Sequence, residues 1–129
     1  MKRSRLSRKG AKAQKHRMKK VWSANLWLQE SEKEFLNYKR TGKNTSLAQS
    51  GEKIWNAFGL YMDERTGKRI DSFGKLKEAV LQSGDTELIE RFWDAYHLHE
   101  FFYGWTEDYK IQEEQYERVY NYLNNKVFK

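Results

Sequence analysis

The sequence predicts an all-α protein, a short-loop bundle of about four to five helices preceded by an extended basic N-terminal arm. Three observations predict it. Proline is absent from all 129 residues. Glu, Lys and Leu, which favour helix, are common. No segment of any length alternates apolar and polar residues as a half-buried strand does. The length suits one domain and is too short for two ordinary ones.

Residues 1–21 form the arm, and residues 22–129 form a single helical domain. The first twenty residues hold ten Lys and Arg, no Asp or Glu and no aromatic residue. At that charge density, broken by Ser4, Ser7 and Gly10, the free segment is expected to be extended. The first helix is expected over 23–40, with Ser23 as N-cap and Leu26, Trp27, Glu30, Glu34 and Tyr38 at steps of three and four. Its apolar face is weak, so it is expected to lie on the domain rather than inside it. Gly42, Lys43 and Asn44 make a turn.

The second helix is expected from about Thr45 to Met62, with Leu47, Ala48, Ile54, Trp55, Phe58 and Tyr61 as its stripe. A polar loop, DERTGKRID (63–71), follows around Gly67. SFGKLKEAVLQS is a short third helix, with Phe73, Leu76, Ala79 and Val80 inward and Gly84 past its end. The fourth begins at the Asp85-Thr86 cap and runs to about Tyr103, with Leu88, Phe92, Ala95, His99 and Phe102 inward. His99 reads there as a buried, hydrogen-bonded core residue. The fifth, about 107–127 with Thr106 as cap, has Tyr109, Gln112, Tyr116, Val119, Leu123 and Lys126 or Val127 on one seam. The last two helices form an antiparallel pair around Gly104, packed by the second and third.

Composition excludes several function classes. Cysteine is absent, so there are no disulfides and no thiolate metal sites. No apolar run approaches the length of a membrane span. The charged start lacks the apolar core of a secretory signal, and the expected compartment is the cytoplasm. There is no glycine-rich phosphate loop, no nucleophile elbow and no zinc-protease motif. No metal, cofactor, membrane or small-molecule substrate is expected.

The stretch ERFWDAYHLHEFFYGW is the one place where catalysis can be argued. It carries Arg91, His97 and His99. Together SGEKIWNAFGLY, FGKLKEAV and FWDAYHLHEFFYG resemble archaeal members of the HEPN domains, small helical domains of nucleotide-binding type, over about residues 45–128. That resemblance implies a helical bundle whose long helices often dimerise. It also implies, for the nuclease members, a metal-independent ribonuclease using an Arg and a His four to six residues apart. Arg91 and His97 have five residues between them. Two features depart from the nuclease pattern. Phe92 stands where a small polar residue follows the Arg, and the pair lies in the penultimate helix. Six residues at 100° each also put the two side chains about 120° apart around a straight helix.

The stronger signal is the arm. Whole-chain net charge is +7, yet residues 21–129 carry 15 basic and 18 acidic residues, a net −3. All the excess positive charge therefore belongs to Lys2, Arg3, Arg5, Arg8, Lys9, Lys12, Lys15, Arg17, Lys19 and Lys20, with His16 among them. Such a segment binds nucleic acid by releasing counterions and needs no sequence-specific contact. Without aromatic residues it reads backbone and shape rather than bases. It resembles the basic arms of ribosomal proteins. The expected function is therefore a non-enzymatic RNA-binding component of a ribosome, in contact with rRNA and neighbouring ribosomal proteins, with the globule docked on the surface. A HEPN-type endoribonuclease or toxin component, acting through Arg91 and His97, is the alternative. A helical protein–protein interaction module is a third reading. KRSR or RMKK could also serve as a nuclear import signal, and the arm could touch anionic lipid, though it lacks an anchoring apolar face.

Overall fold

Ser23 starts the first helix as its chemistry dictates. In the computed structural model, which describes residues 23–102 and 109–127, its backbone is extended and its hydroxyl accepts the Leu26 N–H at 3.2 Å. Helix α1 then runs Ala24–Thr41. It stops at Gly42, whose φ of 73° lies in the left-handed region that a side chain would strain. Helix α2 follows at once, Asn44–Thr66, then α3, Phe73–Gln82, α4, Thr86–Phe102, and α5, Tyr109–Val127. No strand is present among the described residues. The basic arm, Trp22, Gly104 and Thr106 lie outside them.

Cross-helix contacts fix the topology. Pairing Glu34 with Lys53 and Ala24 with Glu64 runs α1 antiparallel to α2. Pairing Asp94 with Arg118, His97 with Gln115 and Phe101 with Tyr109 runs α4 antiparallel to α5. Ser31 against Tyr116 and Tyr38 against Glu113 close the ring between α1 and α5. Thus α1, α2, α4 and α5 form an up-and-down four-helix bundle, with α3 packed on α2 and α4.

Three expectations need correction. First, α1 is an integral wall of the bundle. It buries Ala24, Leu28, Ser31 and Phe35, while Leu26 is exposed and Trp27 and Tyr38 flank the buried face. Small residues complete that face, so it looks weak on hydrophobicity alone. Second, α2 continues four residues past Met62. Each polar residue of that extra turn has a partner. Glu64 accepts the Ala24 N–H, Asp63 accepts the Ile70 N–H, and Arg65 pairs with Asp85. Gly67, with φ of 70°, is the true stop. Third, the inward stripes of α3 to α5 hold at Leu76, Val80, Leu88, Phe92, Ala95, Gln112, Tyr116, Val119 and Leu123, all buried, but fail at one end of each helix. Phe73 and Tyr109 are exposed, and Leu98 and Phe101 are buried where His99 and Phe102 were expected. The expected Asp85 cap holds, its Oδ1 accepting the Leu88 N–H, and Ser72, not foreseen as a cap, accepts the Lys75 N–H at the start of α3.

At Gly51, α2 and α4 nearly touch. A Cβ there would meet the Leu98 carbonyl oxygen at 3.1 Å and the Leu98 Cβ at 3.2 Å. Gly59, on the same helix, has nothing within 4 Å of the equivalent point. Gly51→Val is therefore expected to cost about 1–3 kcal/mol by overpacking. Gly59→Ala is expected to gain about 0.5–1 kcal/mol from helix propensity. Urea unfolding of the two variants reads the difference in sign.

The α1–α5 contact carries a pH-sensitive clasp. The Tyr38 hydroxyl donates to Glu113 Oε2 at 2.7 Å, and Lys39 Nζ donates to Oε1 at 2.9 Å. The hydrogen bond to that carboxylate pushes the Tyr38 phenol up to about 12, since ionising it would set two anions together. The same hydrogen bond, then that of Lys39, holds the Glu113 carboxyl below its ordinary 4.5. A depressed folded-state value contributes stability above the unfolded value, and this is lost as pH falls through the folded one. Glu113→Gln is thus expected to cost about 0.5–1.5 kcal/mol at neutral pH, with the difference from wild type shrinking at acid pH, below the ordinary 4.5 of a Glu carboxyl. Unfolding free energies at neutral and at acid pH test this.

Candidate functional site

Arg91 and His97 are the candidate catalytic residues within the described part. Both sit on α4; His97 meets Gln115 of α5, while Arg91 meets Asp94 of its own helix, which in turn holds Arg118 of α5. Arg91 is largely buried, 17% of its side chain being exposed. Its Nε lies 3.1 Å from Asp94 Oδ2, one turn along the helix, and its Nη2 lies 3.5 Å from Glu90 Oε1. The Nε–H is not aligned on the Asp94 oxygen, so that nitrogen has charge attraction but no hydrogen bond.

Asp94 is the centre of the cluster. Its two oxygens accept Arg118 Nε at 3.0 Å and Nη2 at 2.9 Å, a fork-to-fork pair between α4 and α5. One carboxylate therefore faces two guanidinium groups. Its side chain is 12% exposed, and that burial strengthens both attractions over their value in water. One turn further on, His97 is exposed, and its Nδ1 lies 3.0 Å from Gln115 Nε2. With the amide donating, Nδ1 accepts and a neutral ring carries its proton on Nε2. Gln115 and Arg118 are three residues apart, on one face of α5.

Arg91 and His97 thus have separate partners, Arg91 the carboxylates of its own helix and His97 the Gln115 amide of α5. Arg91 is neutralised by carboxylates, and a role as phosphate clamp would require it to leave them. Phe92 between them is completely buried and belongs to the core. Asp94, Gln115 and Arg118 were not identified from the sequence. The spacing of Arg91 and Asp94 was the available signal for the first. The other two are joined to α4 only by the fold.

His99 departs from its expected place in the core. Its side chain is 26% exposed, its Nδ1 lies 2.7 Å from Glu52 Oε1, and its ring stacks on Trp55 at 5.0 Å. It lines a surface cleft between α2, α3 and α4 instead.

Lys2, Arg3, Arg5, Arg8, Lys9, Lys12, Lys15, His16, Arg17, Lys19 and Lys20 lie outside the described residues. Among those described, no three or more His, Cys, Asp and Glu are grouped to hold a metal ion, and no helix is long and apolar enough to cross a membrane. No family model matches the chain, and no curated protein or solved structure shows significant similarity to it.

Proposed function

We propose that this protein binds RNA through its N-terminal arm, as a component of a ribosomal particle. One observation carries the reading. Ten basic residues and no acidic ones fall within residues 1–20, while the remainder of the chain is net negative at −3. A bundle of that charge repels phosphate at long range, so the work of binding falls to the arm. The arm contributes counterion release and the bundle contributes a docked, folded body. Basic side chains interspersed with Ser, Gly and Ala fit between closely spaced phosphates.

Gradient sedimentation of cell lysate tests this reading. The protein is expected to migrate with a ribosomal subunit and to stay there at moderate salt. Migration as a free small protein under the same conditions would overturn it.

The resemblance to HEPN domains keeps a second reading, a metal-independent ribonuclease. The observation in its favour is that Arg91 and His97 hold two residues of the α4–α5 seam, Asp94 on α4 and Gln115 on α5. In the account preferred here both are structural. Arg91→Ala with His97→Ala is expected to leave RNA cleavage at background. A purified sample that cuts RNA without metal, and loses this on His97→Ala alone, would reverse the order of the two readings.

A further inference from the structure

The cleft between α2, α3 and α4 has a chemistry that the RNA-binding arm does not use. Its volume is about 1000 Å³, at the upper end of small-ligand sites. Aromatic rings from all three helices line it. Trp55 comes from α2, Phe73 from the first turn of α3, and Tyr96 and His99 from α4. These rings brace one another. Phe73 and Tyr96 are 4.8 Å apart, Trp55 and Tyr96 5.9 Å, and Trp55 and His99 5.0 Å. Glu52 fixes the His99 ring through Nδ1, at 2.7 Å.

The charged lining is of one sign. Asp63, Asp71 and Glu100 line the cleft, and no Lys or Arg does among the described residues. Asp63 spends one oxygen on the Ile70 N–H, and Asp71 holds an exposed contact with Lys75 at 3.1 Å. Glu100 makes no ion pair among the described residues. Aromatic faces attract cations through their quadrupole, and carboxylates at the rim attract the same charge. Both also repel phosphate, so this cleft is a poor place for an RNA backbone.

We propose that the cleft binds a guanidinium group. A planar guanidinium stacks on aromatic rings and donates paired N–H bonds to carboxylates, and the cleft offers both kinds of partner. A quaternary ammonium would use the rings alone and leave the carboxylates without hydrogen bonds. The group arrives either on a free small molecule or as an arginine side chain of a polypeptide. The site is independent of the RNA-binding reading and stands or falls without it.

The test titrates the full chain, in the absence of RNA, with methylguanidinium, N-acetylarginine amide, free arginine and tetramethylammonium. Tryptophan fluorescence and the indole N–H resonances report binding. Saturable binding of methylguanidinium is expected, with tetramethylammonium at least about fivefold weaker. Glu100→Gln, a surface change that spares the core, is expected to weaken methylguanidinium about fivefold while leaving tetramethylammonium unchanged. Trp55→Leu is expected to weaken both. N-acetylarginine amide binding as tightly as methylguanidinium supports a polypeptide source, and tight binding of free arginine alone supports a small molecule. No saturable response to any guanidinium, or equal affinity for tetramethylammonium with no effect of Glu100→Gln, would overturn the proposal.

Discussion

Replacing Phe92 with Ala is expected to cost about 3–5 kcal/mol of folding free energy, the largest stability loss of any single truncation in this bundle. Phe92 is completely buried. Its ring lies 6.0 Å from those of Trp55 and Phe58 on α2, 5.9 Å from Phe73 on α3 and 4.9 Å from Trp93 on α4. It therefore joins three helices at one point, and little around it can collapse into the space an Ala would leave. Domains of this size have a total stability of roughly 5–15 kcal/mol, so the variant should be close to unfolding at room temperature. Phe92→Leu keeps most of the volume and is expected to cost under about 1.5 kcal/mol. Chemical unfolding of both variants checks this. A loss below about 1 kcal/mol for the Ala variant would mean that α4 presents a different face to the core.

Deleting residues 1–20 is expected to reduce RNA affinity at least about a hundredfold at low salt. Helicity and melting should stay as they are. The deletion removes all ten charges of the arm and none of the described core, which begins at Ala24. It leaves a body whose net charge is negative. Circular dichroism, a thermal melt and a filter-binding titration on the truncated chain give the result. Undiminished affinity would make the bundle the RNA binder.

Local signals were legible in the sequence. Ser23 and Asp85 cap the helices they were read to cap, and Gly42 ends α1. These are decided by a few neighbouring atoms. The length of α2 was not legible, because a polar turn such as DERT is helical only through its tertiary partners. Arg65 needs Asp85, and Glu64 needs the start of α1. Helical faces were legible to within one position. After Ala95 a step of three leads to Leu98 and a step of four to His99, and the spacing alone permits both. The close approach of Gly51 to Leu98 shows which was chosen, since Leu98 faces α2 across that gap. The Asp94–Arg118 pair and the aromatic cleft join residues from different helices, and periodicity within one helix carries no information about either.

The salt dependence of RNA binding by the full chain tests the central claim most directly. An arm that makes about six to eight phosphate contacts should give a slope of log K against log salt between roughly −4 and −7. Single changes of Arg3, Arg5, Arg8, Lys12 or Arg17 to Ala should each reduce its magnitude by somewhat under one unit, and by similar amounts. A slope near −1, or one arginine whose loss abolishes binding while its neighbours have no effect, would contradict a threaded arm that binds by charge.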